Sequence, residues 1–394
     1  MHLVIAAGLA AVIFTAAACS SSQPSDPGKA QSPAPTIPTP PTIVVPGANL
    51  VEINMMDTQS GWGIGRTDAL PDQVLRTEDG GLTWQDRTPG LVQSGRDQIS
   101  AHFFSSSSNG WVLPRPFETM SQGSDVLTLR SENAGESWLE SGIFPQGEMM
   151  DFFIPIVLQF TGELNGYLLV SVGAGMSHEY VGLYTSSDGG NTWQLAADPT
   201  SAEQIQGCIK TGMHFSEAGI GWITADCMGI VSGAILFQSQ DRGRTWVEIS
   251  LPPPGVVPDL FDLAVCLTST PTIFPSGKGL LIVMCQGSEN DARAMSFLYL
   301  SENSGQTWTS HEFPGGQLYP IDENQLIAAG GEVFISEDGG HSWIKTGNAP
   351  YEGSFNWVDG KTGWLLSSEG KLTVTMDGGQ SWRPIEPILI VPVS

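Results

Sequence analysis

One eight-residue phrase occurs seven times along this chain, and no other feature constrains its fold as strongly. The copies are TEDGGLTW (77–84), SENAGESW (131–138), SSDGGNTW (186–193), SQDRGRTW (239–246), SENSGQTW (301–308), SEDGGHSW (336–343) and TMDGGQSW (375–382). Self-similarity of this kind marks an architecture of repeated units. The residue types are those of a tight turn. The acidic or amide residue (Asp79, Asn133, Asp188, Asp241, Asn303, Asp338, Asp377) accepts backbone N–H bonds, glycine takes a positive φ, and the hydroxyls close the turn locally. The closing indoles, Trp84, Trp138, Trp193, Trp246, Trp308, Trp343 and Trp382, are large apolar plates expected to pack into the core.

Each phrase follows a β-rich run such as VLRT (74–77), GLYTS (182–186) or EVFIS (332–336), so it joins two strands. A second phrase precedes most copies: SGWGIG (60–65), NGWVL (109–113), NGYLLV (165–170), IGWITA (220–225) and TGWLLS (362–367). It reads as the turn into strand two. With runs such as EINMMD (52–57) and FNWVD (355–359) ahead of it, each repeat supplies four strands. The tryptophan spacings of 54, 55, 53, 62, 35 and 39 residues suit propeller blades. The expectation is an all-β, seven-bladed β-propeller over 48–394. IVV (43–45) and ILIVPV (388–393) are both candidates for the strand that closes the ring, and the C-terminal run is the expected one.

The phrase is identified as the Asp-box, or BNR repeat. From about residue 48 to 390 the chain resembles the Asp-box propeller lipoproteins related to the photosystem II assembly and stability factor of cyanobacteria and chloroplasts. That resemblance implies a non-enzymatic seven-bladed propeller that binds an assembling membrane protein. The same box occurs in sialidases, sortilin-type receptors and xyloglucan hydrolases, so it speaks to fold more than to function. The photosystem factor carries an arginine-rich surface, whereas this chain has ten scattered arginines, so its partner residues do not transfer one by one.

The N-terminus reads as an export signal. LVIAAGLAAVIF (3–14) is apolar and short, and TAAAC (15–19) places small residues before a cysteine, as in the lipobox of bacterial lipoproteins. Residues 1–18 are then a signal peptide, and Cys19 is lipidated as the first residue of an exported protein held on the bacterial cell membrane. An uncleaved anchor or a plain signal peptide is the alternative. Residues 19–47, rich in Ser and Pro, read as a disordered tether. Beyond Cys19, the four remaining cysteines pair by equal spacing, Cys208–Cys227 and Cys266–Cys285, each across a hairpin turn in an oxidising compartment. A four-cysteine metal site is the alternative, with spacings unusual for zinc.

With 16 Lys plus Arg against 41 Asp plus Glu, the net charge of −25 repels nucleic acid and anionic lipid headgroups, leaving the lipid anchor as the membrane contact. No catalytic residue, metal or cofactor is assigned: the six histidines lack ligand spacing and no Gly-x-Ser-x-Gly occurs. A glycosidase, which needs two carboxylates or a Tyr–Glu pair facing one sugar, is the rival reading. The preferred one is a binding or assembly module for a protein partner, a membrane protein or complex included. Its site is placed on the face opposite the boxes, on long loops at 113–126, 171–180 and 286–295. These carry Arg115, Phe117, Glu118, His178, Glu179, Tyr180, Glu289, Asp291 and Arg293. His178 and Glu179 equally fit an ordinary solvated loop.

Overall fold

The computed structural model of the protein describes residues 42–46, 48–67, 70–93, 97–116, 127–147, 150–175, 178–227, 234–287 and 294–392. Cys19 and the whole export segment lie outside them. The described chain is all-β: seven antiparallel sheets, each built from four consecutive strands, form a seven-bladed propeller over residues 50–86, 97–140, 154–197, 209–250, 264–312, 317–348 and 354–385. In the fifth blade a short extra strand, Thr272–Ile273, continues the first strand after an irregular step.

Two pairings outside the blades close the ring. Ile388–Pro392 runs parallel to Thr83–Asp86, the outer strand of blade one, and Thr42–Pro46 pairs antiparallel with Ile388–Pro392. The expected C-terminal run is therefore the closing strand, and IVV is added outside it. The tether expected to stay disordered through residue 47 gives way to a strand at Thr42, because Ile388–Pro392 offers Thr42–Pro46 a free edge. Blades one and seven are also joined directly. Met55 N donates to Asn356 Oδ1 at 2.8 Å, Trp364 Nε1 donates to Gly80 O at 3.0 Å, and Leu389 packs with Leu50, Trp84 and Leu366.

The glycine that opens strand two answers a steric demand that its sequence context did not reveal. In six blades it faces, in register, a residue six positions earlier: Met55–Gly61, Phe104–Gly110, Phe160–Gly166, Phe215–Gly221, Ile273–Gly279 and Trp357–Gly363. The earlier side chain lies over the glycine. A Cβ at Gly110 would sit 2.7 Å from the Phe104 ring, and one at Gly166 would sit 2.6 Å from that of Phe160. These rings then stack on the aromatic residue of the preceding blade, Phe104 on Trp62 at 4.7 Å, Phe160 on Trp111 at 3.9 Å and Phe215 on Tyr167 at 3.8 Å. Offset stacks of this kind add to area burial, so the same glycine permits both the hairpin and the blade-to-blade seam.

Candidate functional site

The seven repeated turns share one hydrogen-bond scheme. In blade three, Ser186 Oγ donates to Asp188 Oδ1 (2.9 Å) and accepts the N–H of Gly190 (2.9 Å), while Asp188 accepts both the Thr192 N–H (2.9 Å) and its hydroxyl (2.7 Å). Where the acid is replaced by an amide, the last bond reverses: Asn133 Nδ2 donates to Ser137 Oγ and Asn303 Nδ2 to Thr307 Oγ1, both at 2.9 Å. Each turn is also tied to the turn between strands one and two of its own blade. The N–H groups of Gly80, Ala134, Gly189, Arg242, Ser304, Gly339 and Gly378 donate to Gln59, Ser108, Leu164, Gly219, Gly277, Asn324 and Lys361 carbonyls.

Both sets of turns therefore share one face. The carboxylates there are spent on structure. Burial works against the charge on Asp188 and Asp241, but the donors around each outweigh it and hold both below the usual carboxylate range. The Ser342 hydroxyl and N–H bring Asp338 down to about 2.

Of the repeated tryptophans, Trp84, Trp193, Trp246 and Trp308 are buried, whereas Trp138, Trp343 and Trp382 are half-buried. Those three still pack on the core, Trp138 against Trp62, Trp343 against Phe313 and Trp382 against Trp357, with one edge left to solvent.

On the opposite face, the segment 171–180 is not the loop expected from its sequence. Strand two of blade three continues to Gly175 and strand three begins at His178, the two still paired at Gly175–His178. The chain entering blade four holds this hairpin. Glu179 and Gly207 form a two-way backbone bridge, Glu179 Oε2 accepts the Lys210 N–H at 2.7 Å, and the Gln206 amide pairs with both backbone groups of Val181. Glu179 is thus a half-buried clamp between blades three and four and not a solvated loop residue. Tyr180 remains 38% exposed beside it.

Lys210 is buried and its ammonium donates to Cys208 O; burial, opposed by the Glu179 charge, pushes its pKa down to about 8. Cys208–Cys227 and Cys266–Cys285 are both bonded, and Cys227 and Cys285 each stand six residues past the strand-two glycine (227 − 221 = 285 − 279 = 6). The bridges are equivalent staples in adjacent blades. Blades six and seven turn tightly on this face, at Gly330–Gly331 and at Glu369–Gly370.

Arg115 sits at the end of strand two of blade two, its backbone paired with Gln98. Phe117, Glu118, Glu289, Asp291 and Arg293 lie outside the described residues. Sequence reasoning missed another group on this face. Val51, Ile154, Ile209 and Val265 stand at the first or second residue of the inner strands of blades one, three, four and five, each 43–46% exposed, and Met284 adds a further 43% exposed side chain. The signal was a branched aliphatic ten to fourteen residues ahead of the strand-two glycine in four repeats. Among the described residues, no group of three or more His, Cys, Asp or Glu gathers to hold a metal.

No protein-family model matches the chain. The photosystem II stability/assembly factor HCF136 of Arabidopsis thaliana is 22% identical over 348 residues, 83% of this chain and 76% of that protein. The photosystem II assembly lipoprotein Ycf48 of a Synechococcus strain is 23% identical over 177 residues, 44% of this chain and 45% of its own length. The chain is a distant relative of the photosystem II assembly factors. Within that group, a solved Ycf48 bound to a D1 peptide superposes over 87% of this chain and 97% of its own, with a TM-score of 0.52 at 18% identity. The polysaccharide lyase Uly1 has the same fold, with a TM-score of 0.54 at 12% identity over 86% of this chain and 90% of its own. Fold alone therefore does not separate assembly factors from enzymes.

Proposed function

We propose that this is an exported, lipid-anchored, non-catalytic propeller that assists the assembly of a membrane protein or complex, binding its partner on the face opposite the repeated turns. The observation that carries the choice of face is the group of exposed aliphatic side chains at Val51, Ile154, Ile209 and Val265, flanked by Tyr180. Exposed aliphatic side chains repeated near the start of four inner strands favour this face as the one a partner covers. The relation to assembly factors supports the class of function, and the solved Ycf48 with its bound D1 peptide supports a protein segment as the kind of partner. The turn carboxylates, consumed by internal hydrogen bonds, offer no acid–base pair to a substrate.

The test is affinity capture from the native membrane with wild type and with an Ile154→Ser, Ile209→Ser, Val265→Ser variant. A partner retained by wild type and lost by the folded variant supports the reading. Undiminished capture places the site elsewhere, and glycan depolymerisation by the purified protein overturns the non-catalytic assignment. Cys19→Ala should abolish labelling by a fatty-acid analogue and release the protein from the membrane; unchanged labelling and fractionation remove the anchor from the proposal.

A further inference from the structure

On the turn face, a cleft of about 210 Å³ opens between blades three and four. One wall is the repeated turn of blade four, which presents Arg242 and Arg244. The other is blade three, which presents Asn165, Thr185, Ser187 and Gln194. In a chain of net charge −25 with only 16 basic residues, an arginine is expected to find a carboxylate. Arg66 and Arg130 do so, pairing with Asp72 and Glu132, while Arg76 and Arg87 turn instead to backbone carbonyls and to the Gln85 amide, and the exposed Arg383 has neither kind of partner among the described residues. Among the described residues, the guanidinium groups of Arg242 and Arg244 meet no acid and make no hydrogen bond, and the four side chains opposite them are equally unspent.

The backbone adds a second observation. Arg242 occupies a left-handed position, φ 62°, that is glycine in four of the seven turns (Gly80, Gly189, Gly339, Gly378). Alanine and serine take the same backbone in two other turns (Ala134, Ser304), so Arg242 is the one copy of seven that places a charged side chain at this point of the turn. Its stem lies over Gly219, where a Cβ would come within 2.8 Å of Arg242 Cγ, so this glycine lets the arginine lie along the blade.

We infer that this cleft binds a single hexuronate residue, its carboxylate on the Arg242 and Arg244 guanidinium groups and its ring hydroxyls on Asn165, Thr185, Ser187 and Gln194. Guanidinium forks suit carboxylate geometry. Two amides and two hydroxyls beside them exceed what an Asp or Glu side chain can use, whereas a sugar acid offers several hydroxyls in the space of one ring. The site is independent of the protein-partner reading because it lies on the opposite face.

The test is an NMR titration of the full exported chain, disulfides intact, following arginine Nε–H and side-chain amide signals against D-glucuronate, D-glucose and N-acetyl-glutamate α-amide. Glucuronate should bind saturably and glucose should not. Arg242→Gly and Arg244→Gln should each weaken binding about tenfold, as loss of a charge-assisted bond does, with Arg242→Gly melting no lower than wild type. Absence of saturable glucuronate binding, or binding undiminished in both variants, overturns the site. Binding of the glutamate derivative as tight as that of glucuronate overturns the sugar in favour of an acidic peptide.

Discussion

Truncating Trp246 to alanine measures how much one repeated tryptophan contributes when its blade seam is closed. The side chain is 3% exposed, donates from Nε1 to Gly243 O at 3.0 Å, and meets the Phe215 ring edge-on at 6.1 Å in a core shared with Tyr167, Leu183 and Phe237. A buried tryptophan removes about 150–250 Å² from water, and at about 25 cal/mol per Å² this is ~4–6 kcal/mol. Alanine keeps only a small share of that area, while partial collapse of the cavity returns some of the loss. A cost of roughly 3–5 kcal/mol follows.

Trp343 supplies the internal control. It is only partly buried, against Phe313 at 5.6 Å, and its N–H has no partner, so Trp343→Ala should cost less, with less area lost and no hydrogen bond broken. Urea unfolding of both oxidised variants, followed by far-ultraviolet circular dichroism and compared at unchanged m, gives the two numbers. A loss below about 1 kcal/mol at Trp246, or a loss at Trp343 equal to that at Trp246, refutes the reasoning.

Gly166→Ala places a methyl 2.6 Å from Phe160 and 2.9 Å from Trp193 and should destabilise by roughly 1–3 kcal/mol in the same assay; a neutral result would mean that the seam between blades two and three yields freely. Asp338 is held at about 2 in the folded protein, below the usual value near 3.8, so its contribution is full above about pH 4 and fades as pH falls toward 2. Asp338→Asn should therefore flatten stability over that acid window, since Asn133 and Asn303 already serve the same turn; an unchanged acid slope would remove Asp338 from the account. Replacing Cys208 and Cys227 together by serine should cost roughly 3 kcal/mol, the loop-closure value for a 19-residue separation. The cost should show as a lower urea midpoint, and a midpoint unmoved would mean that the staple constrains nothing. Ala134→Gly, which relieves a left-handed backbone at φ 58°, should leave stability in the urea assay unchanged or raise it by up to about 1 kcal/mol, and a clear fall would contradict it.

Much of the fold was legible because its defining contacts are short-range. The hydroxyl, carboxyl and glycine of each repeated turn bond within the same eight residues, as from Ser239 to Thr245, so residue type and spacing suffice to specify the turn and to count the blades. Equal spacing likewise found the pairs Cys208–Cys227 and Cys266–Cys285, because in an antiparallel hairpin residues equidistant from the turn face each other. The six-residue step from Phe160 to Gly166 was also present in the chain, but its reason, a ring lying over a glycine, becomes visible only in register.

The rest depends on which distant segments meet. The pairing of Thr42–Pro46 with Ile388–Pro392 joins segments more than three hundred residues apart, and no local pattern selects that edge over the outer edge of another blade. Glu179 looked like a loop residue because its clamp, Gly207 and Lys210, belongs to the next blade. Arg242 and Arg244 read as two charges on one more turn until blade three was folded against them. Turn chemistry is decided within a few bonds, whereas burial, ion pairing and clefts are properties of the space between blades, which only the closed ring defines.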